Sequence, residues 1–250
     1  MILYSKATLR IAELHFKQAE APPTVDIVRY QSRLEPVTGT SCSRRSTILI
    51  DLTQPRDQLL AAMGKTTRYQ IRHAERDNEA VEFCKDPADP FLTAFFRYWD
   101  RFAPLKGLPP LNKQRLAGMQ RSGALALSRA RAEDGEELSW HCYVYTPDWA
   151  RLLHSASLYR AVADKEYATR VSRANRFLHW SDMCQFQEMG VATYDLGGWY
   201  DGTEDTEKLN INRFKEGFGG QVVPVYYSDV GVSLRGNVAV RLNRLMKRAK

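Results

Sequence analysis

Two charged residues in the C-terminal part of the chain, Asp195 and Lys215, have neighbours that suit them for chemistry. Asp195 closely precedes the pair Gly197-Gly198, and Lys215 precedes the glycine-rich segment 217–220. Apolar, strand-like stretches bracket a helix that ends at those glycines. We therefore expect both side chains at the rim of a sheet, where functional groups commonly lie. There a lysine can stabilise an oxyanion and an aspartate can accept a proton.

Both residues also have a simpler structural interpretation. A lysine in the last turn of a helix interacts favourably with the helix dipole, and Gly217 and Gly219 then do no more than end that helix. An aspartate before glycines at a strand end is often a turn former whose carboxylate accepts from backbone N–H groups. Residue type and spacing alone leave both interpretations of Lys215 and Asp195 open.

The elements that must hold these residues follow an alternating order. Three strand patterns come first, then a helix that Thr53 is expected to cap, and then a strongly basic helix over 65–76. From Val81 onward the order is strand, helix, helix, three strands, helix, strand, helix, strand. Asp89 is expected to cap the first of these helices, and Pro90 to lie in its first turn. An antiparallel meander followed by helical crossovers predicts an α/β chain with a mixed sheet.

The composition is that of a globular chain with a basic surplus. Its 250 residues are 44% hydrophobic, and 36 lysines and arginines against 29 acidic residues give a net charge of +7. Part of this charge lies at helical spacing on one face of the basic helix, at Lys65, Arg68, Arg72 and Arg76. Such a stripe is typical of a phosphate-binding surface and equally of a solvated helix face.

The last segment, residues 231–250, is predicted to be a basic amphipathic helix. Its apolar residues Val238, Leu242, Leu245 and Met246 fall on one helical stripe. We expect this stripe to be docked, with the basic side outward. The pattern leaves open whether the basic side contacts RNA, a membrane surface or no partner.

Cysteine and apolar patterns exclude several classes of protein. The four cysteines lack metal-ligand spacing, and Cys84 and Cys142 lie in apolar runs that suggest buried thiols of a reducing compartment. No stretch approaches the roughly 18 apolar residues of a membrane span. Dinucleotide-binding, Walker and HExxH patterns are also absent. We therefore expect a cytoplasmic protein without a metal site or a cofactor.

Two motifs near the C-terminus carry a family resemblance. They are Tyr194-Asp195-Leu196-Gly197-Gly198 and, after a spacer, Phe214-Lys215-Glu216-Gly217-Phe218-Gly219. This pattern resembles the C-terminal part of the Fem family, the peptidoglycan-bridge aminoacyltransferases. The resemblance implies the GNAT acyltransferase fold, to which the element order of residues 81–227 is similar. Fem proteins carry two such domains, so the expected organisation is a truncated N-terminal GNAT-like subdomain with the basic connecting helix (1–80), the acyltransferase domain (81–230) and the basic tail (231–250).

The resemblance also implies a donor and a set of site residues. Fem proteins take an amino acid from aminoacyl-tRNA, and segment 164–175 lacks the glycines with which CoA-dependent enzymes bind a pyrophosphate. Lys215 and Asp195 are the catalytic candidates. The substrate-binding candidates are Phe214 as a wall, Tyr194, Trp199 and Tyr200 as stacking faces, His141 on a central strand, and Arg68 and Arg72 at donor phosphates. Core packing is the alternative interpretation for His141 and the aromatic residues.

The predicted function is transfer of an amino acid from aminoacyl-tRNA to an amino group of a cell-envelope precursor, either peptidoglycan or surface polysaccharide. The precursor would be linked to a nucleotide or a lipid, and peripheral contact with the membrane surface is a further option. Two alternatives stay open. One is an acyl-CoA or acyl-carrier-dependent N-acyltransferase acting on an amino sugar, and the other is a non-catalytic RNA-binding module.

Overall fold

A computed structural model describes residues 1–18, 24–77, 79–158 and 164–248, and the structural statements below concern these ranges. The strands are β1 (Ile2–Lys6), β2 (Leu9–His15), β3 (Ile27–Arg33), β4 (Ser43–Asp51), β5 (Ala80–Lys85), β6 (Leu125–Arg131), β7 (Glu137–Tyr145), β8 (Trp149–Ser157), β9 (Thr193–Trp199) and β10 (Gln221–Gly231). The helices are α1 (Arg56–Ala62), α2 (Lys65–Arg76), α3 (Phe91–Leu105), α4 (Lys113–Arg121), α5 (Lys165–Glu188), α6 (Thr206–Glu216) and α7 (Leu234–Arg248). This order confirms the predicted alternation and adds β1, which the sequence pattern did not indicate.

The chain forms two compact units. The first comprises Met1–Thr47, Asn112–Ala124 and Val223–Lys250, and the second comprises Ile48–Leu111 and Leu125–Val222. The chain therefore passes between the units within β4, on either side of α4, and within β10. The predicted domains, with boundaries at residues 80 and 230, divide the chain differently, and their functional assignment stays a prediction.

The first unit is built on the strand order β1-β2-β3-β10. β2 and β3 are parallel, whereas β1 pairs with β2 and β3 pairs with β10 in antiparallel fashion. Helix α4 packs against β1. A buried charged cluster lies between them, in which Glu13 accepts hydrogen bonds from Arg115 and Tyr4 and contacts the ring of His15.

The second unit holds the strand order β9-β8-β7-β6-β5, with the second half of β4 beyond β9. β5 to β8 form an antiparallel meander, and β9 is parallel to β8. Neighbouring residues of β7 point to opposite faces, as a strand requires. Trp140 contacts Phe91 and Phe95 of α3, whereas His141 hydrogen-bonds to Asp182 of α5. The sheet of this unit is therefore covered by α3 on one face and α5 on the other.

Two predicted helix caps are wrong. The Thr53 hydroxyl donates to Asp51, and α1 begins after Pro55 without a side-chain cap. The Asp89 carboxylate accepts from the Thr93 hydroxyl instead of a backbone N–H, and Pro90 occupies the position before α3. A proline is well tolerated at the start of a helix because of its fixed φ, and here it occupies the cap position, where its side chain offers no hydrogen-bond acceptor.

Helix α7 overturns the expectation that the apolar stripe of the tail is docked. The stripe is 54–62% exposed at Val238, Leu242, Leu245 and Met246. The docked face is a different one, with Val240 buried and Gly236 so close to Asp26 that a Cβ would collide with the Asp26 carbonyl. This close backbone approach selects the face that packs. Within the described ranges, no helix combines the length and the apolar composition that crossing a membrane requires.

The cysteines of the described residues are all free thiols. Cys142 is buried in β7, as expected, but Cys84 is half-buried because β5 is the last strand of the sheet. No group of three or more histidine, cysteine, aspartate or glutamate side chains suited to a metal ion occurs in the part of the chain that the structure describes.

Candidate active site

A cavity of about 880 Å³ lies in the second unit, between β8, β9, α5 and α6, with the end of α3 at its rim. Its polar lining includes Ser155, Ser157, Asn175, His179, Lys208 and Lys215. Of the residues predicted from the sequence, Phe214 and Lys215 line this cavity. The volume is within the range of cavities that bind small molecules.

The cavity begins where β8 and β9 part. Their parallel pairing covers three residue pairs and ends at Arg151 opposite Asp195, although β8 continues to Ser157 and β9 to Trp199. An ion pair closes the last rung, with Arg151 Nη1 2.5 Å from Asp195 Oδ2. Beyond this rung, Leu196 and Ser157 line the cavity.

Asp195 itself is fully buried and is not part of the cavity lining formed by the described residues. One carboxylate oxygen accepts from Arg151, and the other accepts from the Gly197 N–H at 2.8 Å. Gly197 has φ +81°, a conformation that favours glycine. These contacts fit the turn-forming interpretation of Asp195, and its role as a proton acceptor stays a prediction.

Lys215 reaches the cavity from the last turn of α6. Its Nζ donates to the Gly198 carbonyl at 2.5 Å. Burial lowers the pKa of Lys215 to about 8, while the charge of Asp195 opposes this shift and that of Arg151 adds to it. Near neutral pH the side chain is therefore a cation that has lost much of its hydration, which strengthens its interaction with a nearby anion.

Contacts along α6 and just after it hold this helix in place. The Asn212 side chain accepts from the Tyr200 N–H and donates to the Tyr200 carbonyl, so it ties α6 to the chain after β9. The Gly217 carbonyl accepts from the backbone N–H that precedes α2. At Gly220, with φ +94°, a Cβ would lie 2.5 Å from the Leu49 carbonyl oxygen. The glycines of the motif thus permit close backbone contacts as well as ending the helix.

Tyr194 and His141 lie behind the cavity wall in a buried hydrogen-bond network. Asp182 Oδ2 is 2.7 Å from His141 Nδ1 and 2.6 Å from the Tyr143 hydroxyl. The Tyr143 hydroxyl is 2.7 Å from that of Tyr194, which is 2.8 Å from His179 Nδ1. We call Asp182, Tyr143, Tyr194 and His179 the buried chain. Tyr194 and His141 are outside the cavity lining of the described residues, so their contact with substrate stays a prediction.

His179 is the member of the buried chain that lines the cavity, and the sequence pattern did not indicate it as a site residue. Asn175, His179 and Asp182 follow one another on α5 at spacings of four and three residues, so they share the helix face that packs on the sheet. Apolar residues fill most of that face. Polar residues at helical spacing within an otherwise apolar face are the signal that would have found His179.

The other aromatic candidates differ in their placement. The Phe214 ring lies 5.7 Å from the His179 ring, and the Arg176 guanidinium stands over it at 4.6 Å. Trp199 packs against the hydrophobic core, and Tyr200 lies beneath the Lys208 ammonium at 5.1 Å. Trp199 and Tyr200 do not belong to the cavity lining that the described residues form, and their predicted stacking on substrate stays a prediction.

Arg68 and Arg72 lie on a separate surface of the second unit. This surface, which we call the α2 groove, is lined by Lys65, Arg68, Tyr69, Arg72, Glu75 and Arg76. The Arg68 guanidinium donates to the carbonyls of Ala61 and Met63, where α1 ends, whereas Arg72 is exposed. Arg68 therefore has a structural role at the end of α1, and contact of either arginine with donor phosphates stays a prediction.

Comparisons with known proteins identify similar folds. No family model matches the chain, and no curated protein matches it in sequence. Among solved structures it is similar to FemX, with a TM-score of 0.59 and 16% identity over 74% of this chain and 61% of the FemX chain. The likeness thus spans less than two thirds of FemX.

Two further structures cover more of the chain. One is the C-terminal domain of a putative lysylphosphatidylglycerol synthetase from Agrobacterium fabrum, with a TM-score of 0.53 and 14% identity over 86% of this chain and 71% of that one. The other is L-PGS from Bacillus licheniformis, with a TM-score of 0.53 and 14% identity over 86% and 72% of the two chains. These likenesses confirm the predicted fold class, a mixed α/β sheet, and the resemblance in fold to FemX.

Proposed function

We propose that this chain is a Fem-type N-acyltransferase that moves an amino acid from aminoacyl-tRNA to an amino group of a cell-envelope precursor. The position of Lys215 is the observation that carries the proposal. Lys215 is the lysine of the Fem-like motif, and it lies in the cavity that begins where β8 and β9 part. The fold likeness to FemX supports the same reaction class.

The reaction sets three chemical demands. The amine nitrogen of the acceptor attacks the ester carbonyl of the donor, so a proton must leave the nitrogen, an oxyanion must be stabilised, and the departing alkoxide must gain a proton. The Lys215 ammonium meets the second demand. One well-placed donor to such an oxyanion stabilises the transition state by about 3 kcal/mol.

The α2 groove supports a polyanionic donor. Lys65, Arg72 and Arg76 are exposed along it, and the exposed ring of Tyr69 lies among them. Basic side chains interleaved with an aromatic face suit a nucleic acid, whose phosphates and bases they contact respectively. Helix α2 packs on α5, which also lines the cavity. We propose that a tRNA bound in the groove extends its aminoacyl end towards this cavity.

The acceptor is proposed as an amine-bearing precursor linked to a lipid or a nucleotide. The name of the lysylphosphatidylglycerol synthetase denotes an aminoacylated membrane lipid, which supports the lipid-linked form. Transfer of an amino acid from aminoacyl-tRNA to a lipid-linked acceptor would take place at the cytoplasmic side of a membrane.

The outward stripe of α7 supports peripheral contact with an anionic membrane. Its apolar residues are exposed, and exposed Arg241 lies beside them. An apolar stripe with basic flanks is the pattern of helices that lie in a membrane interface. We expect the protein to sediment with phosphatidylglycerol vesicles and less with phosphatidylcholine vesicles, and Leu242→Ser with Leu245→Ser to abolish this binding. Concentration-dependent dimerisation without vesicle binding would instead identify a second copy as the occupant of the stripe.

The test of the proposed function is transfer of radiolabelled amino acids from a mixed, charged tRNA pool to an extract of envelope precursors. Labelled acyl-CoAs are supplied in parallel, and Lys215→Ala is compared with Lys165→Ala, a lysine exposed at the start of α5. Transfer from tRNA that is lost only in Lys215→Ala would support the proposal and identify the amino acid.

Two other results would replace the proposal by the alternatives. Transfer from acyl-CoA alone would keep the GNAT fold and reject tRNA as the donor. Binding of tRNA without transfer from either donor, and without an effect of Lys215→Ala, would favour a non-catalytic RNA-binding module.

A further inference from the structure

With Asp182 as a carboxylate, the hydrogen bonds of the buried chain all run in one direction. A carboxylate has acceptors only, so the Tyr143 hydroxyl donates to Asp182 Oδ2. The His141 ring donates to the same oxygen through Nδ1, and its Nε2 lies 2.9 Å from the Asn175 side-chain oxygen. A tyrosine hydroxyl has a single hydrogen, and that of Tyr143 is used on Asp182. At the 2.7 Å contact between the two tyrosines, Tyr194 is therefore the donor and Tyr143 the acceptor.

The direction of the hydrogen bond between the two tyrosines also fixes the proton on His179. Because Tyr194 gives its hydrogen to Tyr143, its oxygen can only accept at the 2.8 Å contact with His179 Nδ1. His179 must then carry its proton on Nδ1, and the lone pair of the imidazole is on Nε2. Three side chains behind the cavity wall thus select one tautomer of a residue that lines the cavity.

The lone pair on Nε2 has no hydrogen-bond partner among the described residues, and His179 lines the cavity together with Lys215 and Phe214. Burial lowers the pKa of His179 well below its usual value, and the nearby charges of His141, Lys215 and Arg176 lower it further. The ring is therefore neutral and able to accept a proton at neutral pH.

We propose that His179 Nε2 is the general base that removes the proton from the acceptor amine, and that Tyr194, Tyr143 and Asp182 are positioning residues that fix its tautomer. This inference rests on the proposed function, because it assigns the first of the three demands of that reaction. It adds a catalytic residue and a set of positioning residues that neither of the two sequence motifs explains, apart from Tyr194.

The transfer begins with attack by the acceptor amine and ends with protonation of the leaving oxygen. The nitrogen lone pair forms a bond to the ester carbonyl carbon, and the carbonyl π electrons move onto oxygen beside the Lys215 ammonium. The nitrogen becomes positively charged and gives its proton to His179 Nε2. When the tetrahedral intermediate collapses, the C–O bond of the ester breaks, and the imidazolium returns the proton to the leaving ribose oxygen. The products are an amide and a tRNA with a free terminal hydroxyl.

The first test needs no substrate. Long-range ¹H–¹⁵N correlation spectra of ¹⁵N-histidine-labelled protein distinguish a protonated from an unprotonated ring nitrogen, and His179→Gln assigns the signal. We expect wild-type His179 to be protonated on Nδ1 and unprotonated on Nε2 at pH 7. A spectrum with the proton on Nε2, or a doubly protonated ring, would overturn the inference whatever the enzyme transfers.

The second test uses turnover with the donor that the tRNA assay identifies. His179→Gln is expected to lower kcat by roughly 10²- to 10⁴-fold, the usual effect of losing a general base. His154→Gln is the matched control, a histidine of β8 that packs on Trp99 outside the cavity lining, and its kcat should stay within roughly threefold of wild type. Thermal unfolding of both variants checks that they fold.

Tyr194→Phe keeps the test decisive if His179→Gln does not fold. It removes one hydroxyl, and with it the contact that holds the Nδ1 proton, so it should change the tautomer in the spectrum and lower kcat with little effect on KM.

The pH profile of wild-type kcat gives a further test. Its acid limb should lie below 6.5, the ordinary pKa of histidine, because burial and the charges of His141, Lys215 and Arg176 disfavour the imidazolium form of His179. Asp182 acts on this ring only through the two tyrosines. An active enzyme in which His179→Gln or Tyr194→Phe keeps wild-type kcat would refute the inference, whereas an inactive wild type with the expected tautomer would refute only the transfer reaction.

Discussion

Each of the two units buries a hydrogen-bonded cluster that contains a carboxylate, a histidine and a tyrosine. The two clusters differ in the partners of the carboxylate. In the first unit, Glu13 accepts hydrogen bonds from two guanidinium nitrogens of Arg115, so the carboxylate meets a permanent cation. In the second unit, Asp182 is bonded to a tyrosine and a histidine, and the chain of hydroxyls leads away from it to His179 at a cavity.

The difference teaches what each arrangement can do. A buried carboxylate paired with a guanidinium is satisfied locally, and its main effect is on stability and on the specificity of packing. A carboxylate whose hydrogen bonds pass through neutral hydroxyls sets the direction of each bond up to the last member. Only the second arrangement can determine the protonation site of a residue that meets a ligand.

The largest expected effect is on the free energy of unfolding and concerns the Glu13 cluster of the first unit. Arg115→Met leaves Glu13 buried without its cation, so the free energy of unfolding should fall by about 3–5 kcal/mol. Arg121→Met is the matched control, because Arg121 is exposed on the same helix, and its effect should stay within about 0.5 kcal/mol. Denaturant unfolding measures both, and equal effects would show that the Glu13 pair contributes nothing.

The second prediction concerns the stability of the folded protein at acid pH. Burial alone would raise the pKa of Glu13, but hydrogen bonds from His15 and Arg115 and the charge of Arg115 hold it well below its usual value of 4.5. A carboxyl group with a depressed pKa contributes stability that is present above pH 4.5 and is lost as the pH falls below it. Glu13→Gln should flatten this acid dependence while lowering stability at pH 7. An unchanged pH profile of unfolding in that variant would contradict the assignment.

The third prediction applies to the cavity and to turnover. Lys215 must be a cation to stabilise the oxyanion, and its pKa is lowered to about 8 by burial, so kcat should fall as the pH rises through that value. Arginine stays charged at every accessible pH. Lys215→Arg should therefore lose activity in absolute terms but no longer show the alkaline limb. An alkaline limb that persists in Lys215→Arg would have to belong to another group.

The smallest expected effect is that of Tyr143→Phe in the buried chain. Removing one buried hydroxyl that both donates and accepts should lower stability by about 1–3 kcal/mol, towards the lower value if the neighbours relax. The hydrogen of Tyr194 is then free to turn towards His179, so the histidine spectrum should show a changed tautomer. A large loss of stability without any change in the spectrum would show that the buried chain contributes only to stability, as the Glu13 cluster does.

The predictability of the site varied with how local each signal was. Lys215 and Phe214 were found because the motif of neighbouring residues that surrounds them is contiguous in sequence. Asp195 was found by the other contiguous motif, but Arg151, which donates to its carboxylate, comes from β8, and this pairing could not be foreseen. His179 was missed because its partners, Tyr143 and Tyr194, lie on two other elements far away in the chain.

The tail shows the same limit. The sequence predicted a helix with an apolar stripe, and α7 has that stripe. It did not reveal which face packs, because that depends on Gly236 meeting the Asp26 carbonyl of a segment about 200 residues earlier.

The sequence by itself determined the order of helices and strands after β1, the mixed α/β class and the lysine of the candidate site, since hydrophobic period and glycine placement act over a few neighbouring residues. The tertiary structure alone decided that Asp195 closes a rung between two parting strands and that His179 lines the cavity with a fixed tautomer. Hydrogen-bond direction is a property of a complete network of donors and acceptors, and that network exists only when β7, β9 and α5 are packed together.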